Sequence, residues 1–224
     1  MKKLKKDMKE EINYFKGYKL NKDKLIKYGF TNENNKYHYL VNILNDDFCM
    51  YVDIVDNKIY VKIVDLSTNL EYTNYRLSNK GEFAFKVYNE YERVLLSIRN
   101  SCFEKEYFLY DQSNRITKYI INKYNSYPEY PWDDNNGIFR CPNNKWFAVI
   151  LSVNKNKFTN ENKNIEVLNI KVDNNIEDLI KIEGIYKAYH MNKSKWISIC
   201  LDEELDDKEI FNYVDISYKI VNKK

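Results

Sequence analysis

Two lysine-tryptophan steps, Lys145-Trp146 and Lys195-Trp196, each sit between a polar stretch and an apolar run. A lysine ammonium can neutralise a phosphate, and an adjacent indole can stack on an unpaired base. Arg140 and Lys193 belong to the same two stretches and would reinforce such contacts. On this reading the nucleic-acid-binding residues are Arg140, Lys145, Lys193, Lys195 and Trp196. The structural alternative assigns the lysines to solubilising hairpin ends and the tryptophans to anchoring a core, because a Trp that opens an apolar strand usually packs.

The two stretches are copies of one pattern. Phe139 to Leu151, FRCPNNKWFAVIL, aligns without a gap on Tyr189 to Leu201, YHMNKSKWISICL. Phe139 meets Tyr189, Arg140 meets His190, Lys145 meets Lys195 and Trp146 meets Trp196. In each, an aromatic strand end enters a polar turn that returns through Lys-Trp into a buried strand, so two similar hairpins are expected.

Other chemistries find no constellation. Cys49, Cys102, Cys141 and Cys200 are far apart with no Cys-x-x-Cys pair, and His38 and His190 are the two imidazoles, which argues against disulfides and structural zinc. His190 reads as a hydrogen-bonded strand-end residue in the absence of a neighbouring carboxylate or thiol. Cys141 lies near Arg140 and Lys145, cations that can lower a thiol pKa, but neither a base nor a resolving thiol accompanies it. Asp133 and Asp134 favour a turn in an Asn-rich loop, and the acidic run Glu203 to Asp207 is explained by capping of the helix that follows. A Gly-rich phosphate loop, HExxH, GxSxG and paired catalytic carboxylates are all missing, so a non-enzymatic binding protein without cofactors is expected.

The elements that must position these residues follow from periodicity. The chain has 224 residues, with 44% hydrophobic and 31% charged, enough to bury one large or two modest cores. Leu25, Ile26 and Tyr28 predict a short helix ending at Gly29, and TNENNK predicts a turn. Tyr37 to Leu44, Phe48 to Val55 and Lys58 to Leu66 read as an antiparallel meander with a tight hairpin at Asp56-Asn57. From Ala84, apolar residues recur every three to four positions to Cys102, the face of a helix covering that meander. This predicts a first domain over residues 1–103. A second, 104–224, begins with a helix at Gln112 to Tyr124 and an irregular SYPEYPWDDNNG. Strands follow at Gly137 to Arg140, Trp146 to Val153, Ile165 to Val172 and Trp196 to Leu201. A short helix capped by Asp173 interrupts them, and the last helix is capped by Asp206 with Glu209 in a capping box. The class is α+β, two domains, each an antiparallel sheet with helices on one face.

The second half resembles the MmcQ/YjbR family. The resemblance rests on YPEYPW (Tyr127 to Trp132), GIFR followed by KWFAVI, YHMNKSKWISICLD, and the terminal ISYKIV. It implies a CyaY-like fold and a "double wing" motif to which DNA binding has been attributed, with the first half as an accessory domain. Frataxin-type iron binding, which uses an acidic ridge on the first helix, is not implied, since QSNRITKYIINKY carries no acid.

Charge leaves the partner open. The net charge is +3, with 17 Lys+Arg against 14 Asp+Glu in residues 1–97 and 19 against 19 in residues 98–224. A nucleic-acid surface in the second half must therefore be a local patch. Double-stranded DNA is the named ligand, and a protein or peptide held in an aromatic-rich groove between the two domains is the rival. The basic start MKKLKKDMKE lacks the apolar stretch of a signal peptide and no apolar run reaches membrane-spanning length, so a cytoplasmic location without a membrane partner is expected.

Overall fold

In the computed structural model, residues 9–132, 134–173 and 175–223 are described. The basic start therefore lies mostly outside the described residues, as does Asp133. The chain divides into two compact units, Met1–Glu106 and Tyr107–Lys224.

The first unit contains β1 (Lys9–Glu10), α1 (Ile12–Phe15), β2 (Tyr18–Leu20), α2 (Lys22–Tyr28), β3 (Thr31–Glu33), β4 (Lys36–Ile43), β5 (Phe48–Val55), β6 (Lys58–Asp65), β7 (Leu70–Glu71), α3 (Glu82–Cys102) and β8 (Phe103–Lys105). Its main sheet runs β1-β6-β5-β4-β3, with β7 also on β6. Asp56 and Asn57 both take positive φ, 52° and 61°, which gives the tight hairpin expected there. The turn expected across TNENNK is narrower: Asn34 and Asn35 form it alone, at φ 51° and 62°, and Thr31–Glu33 pairs with β4 as a strand. Along α3, Val87, Tyr91, Val94, Leu95 and Ile98 are buried in one core with Met50, Val52, Val61 and Ile63 of the sheet. Each such aliphatic side chain contributes roughly 1.5–3 kcal/mol on burial. Strand β8 pairs with β2, so the chain leaves this unit after the expected boundary at 103, once that ladder is complete.

The second unit contains α4 (Asp111–Tyr124), β9 (Gly137–Arg140), β10 (Trp146–Asn154), β11 (Asn164–Lys171), α5 (Ile176–Leu179), β12 (Ile185–Lys187), β13 (Trp196–Cys200) and α6 (Asp207–Val221). Its sheet is antiparallel throughout, in the order β12-β13-β11-β10-β9. Ile116 and Ile120 of α4 and Ile210, Val214 and Val221 of α6 share a core with Phe147, Ile150, Leu168, Ile170, Ile197 and Ile199, so both helices lie on one face. The other face carries a second cluster containing Ile138, Val149, Val167 and Cys200. Burial on both faces explains why β10 reads WFAVIL without alternation.

Local chemistry corrects three expectations. Helix α4 starts at Asp111 and so carries one acid, which is a single charge and not a ridge. Its N-terminal segment is held by Glu166, whose buried carboxylate accepts the Leu109 and Tyr110 N–H groups at 3.0 and 3.2 Å. The cap of α5 is Asn175, accepting from the Glu177 N–H, in place of Asp173. Asp206 caps α6 through the Lys208 N–H at 2.7 Å, one residue earlier than a capping box requires.

Candidate nucleic-acid interface

Topology fixes where the Lys-Trp turns lie. Strands β10 and β13 are both antiparallel to β11, with Ala148 opposite Ile170 and Trp196 opposite Lys171. They therefore run parallel to each other, and the segments that precede them, 141–145 and 188–195, emerge at the same end of the sheet. One strand separates them, which places their bases roughly 10 Å apart at the usual interstrand spacing.

The first turn is tight. The Cys141 N–H donates to the Lys145 carbonyl at 2.9 Å, Asn144 takes φ 65°, and the Asn143 amide donates to the Val221 carbonyl at the end of α6 at 2.9 Å. On the return Phe147 is an extra residue: Trp146 faces Arg140 but Ala148 faces Phe139, a β-bulge that sends both Phe147 and Ala148 to the helix side. Trp146 is left on the opposite face, edge-on to Trp132 at 5.9 Å.

The second turn is wider than its sequence copy. Strand β12 ends at Lys187, and Tyr189 leaves the ladder where Phe139 stays in it. Two buried side chains take over the bonding: the Tyr189 N–H donates to the Ser198 hydroxyl at 2.8 Å, and the Asn169 amide donates to the Tyr189 carbonyl at 2.8 Å. The Ser198 hydroxyl in turn donates to Asn169 Oδ1 at 2.5 Å, so the network is closed. His190, expected as a strand-end residue, lies beyond the strand in a left-handed conformation, φ 58°.

Of the sequence-selected residues, Lys145, Lys193 and Lys195 are exposed, and no ion pair engages them among the described residues. Arg140 is not in the same state. Its guanidinium donates to Glu129 at 3.0 Å and to the Asn144 carbonyl at 2.8 Å and lies 5.7 Å from the Trp146 ring, so it braces the first turn instead of facing outward. Trp196 is half-buried, on the sheet face away from the helices, beside Lys171. Burial pushes the Cys141 thiol up to about 11, opposite to the lowering its cationic neighbours suggested. Asp134 accepts from the Asn136 backbone and side chain, the turn role expected for it.

A buried lysine was not visible in the sequence. Lys155 is fully buried, bonded to Glu161 at 3.0 Å, to Asp202 at 2.9 Å and to Glu204. Burial alone disfavours its ammonium, but the hydrogen bonds to Glu204, Asp202 and Glu161 outweigh that and hold its pKa above the usual lysine range. Much of the acidic run is thereby used for pairing and not only for capping, since Glu203 and Asp207 also hold Arg115 at 2.7 and 2.5 Å. Among the described residues no group of three His, Cys, Asp or Glu could hold a metal ion, and no helix is long and apolar enough to cross a membrane.

Comparison with known proteins bears on this unit. The YjbR family profile matches residues 121–220. The Bacillus subtilis (strain 168) uncharacterized protein YyaQ is 32% identical over 110 residues, which span 47% of this chain and 93% of that relative. The chain belongs to the YjbR family. The match to the YjbR profile begins inside α4 and ends inside α6, so the first unit lies outside it. Among solved structures, a crystal structure of a Pseudomonas syringae protein is 32% identical, covering 50% of this chain and 99% of its own, with a TM-score of 0.47. The Deinococcus radiodurans protein DR2400 is 21% identical, covering 50% and 79%, with a TM-score of 0.40.

The motifs on which the resemblance rested have physical roles here. Glu129 of YPEYPW exchanges both backbone bonds with Ile138 of GIFR, at 3.0 and 2.9 Å. In the ISYKIV segment, Ser217 bonds the backbone of β10 and β11, and Tyr218 stacks on Tyr124 at 3.8 Å.

Proposed function

We propose that the YjbR-like unit is a non-enzymatic module that binds double-stranded DNA through the sheet end bearing its two Lys-Trp turns. The observation that carries this reading is the emergence of both turns on either side of β11, with Lys145, Lys193 and Lys195 exposed. A spacing of roughly 10 Å lies between the minor- and major-groove widths of about 6 and 12 Å, so lysines on the two turns can reach phosphates flanking one groove. With only a few phosphate contacts, affinity is modest, weakly sequence-dependent and strongly reduced by salt.

The test is anisotropy titration of a labelled duplex with the full chain at two salt concentrations. Lys145→Glu/Lys195→Glu is expected to abolish binding, whereas Arg140→Ala leaves it nearly unchanged because that guanidinium is committed to Glu129 and Asn144. Equal binding by wild type and the double variant would sink the reading. A peptide-binding role is favoured instead by the exposed Tyr127, Tyr130 and Trp132 of YPEYPW, and its affinity would depend little on salt.

A further inference from the structure

Beside the second turn lies a groove of about 510 Å³, within the roughly 300–1,000 Å³ typical of small-molecule sites. Its composition is uneven. Three lysines line it, Lys157, Lys187 and Lys193, together with the aromatic rings of Phe158, Tyr186 and Tyr189, and no acidic side chain is among the described lining residues. Lys187 is paired with Glu177 at 2.8 Å, which leaves Lys157 and Lys193 as the exposed cations without an ion pair among the described residues.

Both walls are held from beneath by buried polar groups. One wall is the short 3-10 turn Lys155–Lys157 with Phe158 after it. That turn is capped by the Asn154 side chain on the Asn156 N–H at 3.0 Å and anchored by the buried Lys155 ammonium among Asp202, Glu204 and Glu161. The other wall is the Tyr189 to Met191 bend, whose backbone is fixed by Ser198 and Asn169. Phe158 meets Tyr186 at 5.1 Å and Tyr189 edge-on at 6.0 Å, and the His190 ring lies 4.0 Å from that of Tyr189. The result is a groove whose two walls carry mutually inclined aromatic rings, with exposed lysines at its rim.

From this we infer that the groove is a binding site for a mononucleotide, with the base against Phe158 and Tyr189 and the phosphate held by Lys157 and Lys193. The pairing of chemistries is what selects the class. Aromatic side chains stack on any base, while unpaired lysines at the rim favour an anion. The inference is independent of the duplex-binding proposal, because Lys145 and Lys195 do not line the groove and Lys193 alone belongs to both.

The experiment is calorimetric titration of the full chain with AMP, adenosine and inorganic phosphate. AMP is expected to bind at least roughly tenfold more tightly than either of the others, since only it engages both the aromatic walls and the lysines at the rim. Lys157→Glu, an exposed change that should leave folding intact, is expected to weaken AMP by roughly tenfold or more, and Phe158→Ala to weaken it similarly, while Lys145→Glu/Lys195→Glu leaves it unchanged. Three results would overturn the inference: no AMP binding at about 10 mM, phosphate binding as well as AMP, or undiminished AMP binding by a folded Lys157→Glu chain. Absence of duplex binding by the wild-type chain, with AMP bound, would remove the duplex reading and leave this one standing.

Discussion

The Ser217 hydroxyl on α6 donates to the Phe147 carbonyl at 2.5 Å and accepts the Lys171 N–H at 2.8 Å, and so bridges β10 and β11 just beyond their last ladder pair, Ala148 opposite Ile170. Ser217 is fully buried, so neither backbone group has water as a substitute. Ser217→Ala is therefore expected to destabilise the unit by about 1–3 kcal/mol, the cost of leaving buried polar groups unpaired. Urea denaturation measures this. A loss below about 0.5 kcal/mol would mean that the two backbone groups find other partners.

Lys155 offers a larger effect. Removing one member of a buried ion cluster leaves the others charged and uncompensated, typically at about 3–5 kcal/mol. Lys155→Met should lower stability on that scale and loosen the turn bearing Lys157 and Phe158. Hydrogen exchange at residues 155–163 and denaturant unfolding report the two consequences separately. Unaltered protection at these amides would show that the lysine does not hold the turn.

Acid sensitivity should come in part from Asp207. Hydrogen bonds from Arg115, with a further one from Gln112, hold its carboxyl below the usual aspartate range despite partial burial. A depressed folded-state pKa contributes stability that is present above the unfolded value, about 3.9, and is lost as pH falls through the folded value. Stability measured by urea at a series of pH values should drop below about pH 4, and Asp207→Asn should flatten part of that drop. An identical slope in the variant would move the effect to other carboxyls.

The two units are expected to fold separately. A fragment of residues 107–224 retains α4, the five-stranded sheet and α6, together with the core they enclose. It should unfold in one cooperative thermal transition. A molten fragment with no transition would mean that the first unit completes its core.

Much of this was legible in the sequence because burial and period coincide. Val87 to Cys102 show one helical face, and Trp196 to Leu201 are apolar enough to read as a buried strand. The Asp56-Asn57 hairpin was legible for a different reason, since those side chains tolerate positive φ. Side-chain bonding was not legible. Nothing in NKNK marks Lys155 as buried, because its partners lie across the fold at Asp202 and Glu204. Arg140 looked like its neighbours Lys145 and Lys195, yet Glu129, brought alongside by the backbone bridge to Ile138, takes its charge. The gapless alignment of the two turns also concealed a difference in backbone, because Ser198 and Asn169 accept and donate for Tyr189 in place of a strand.

The extra residue at Phe147 also sets the phase of everything before it. Counting back from Ile150, strict alternation would turn Trp146 inward beneath the helices and Phe147 outward; the bulge reverses both. The first turn therefore inherits its orientation from a single inserted residue, and Trp146, Arg140 and Trp132 meet on the outer face because of it. In the second copy no such insertion occurs between Trp196 and Ile199, yet Trp196 reaches the same face through uninterrupted alternation. The two tryptophans are thus matched in placement by different strand arithmetic, and a one-residue deletion in the first stretch would separate them while the same edit in the turn ahead of the second would not.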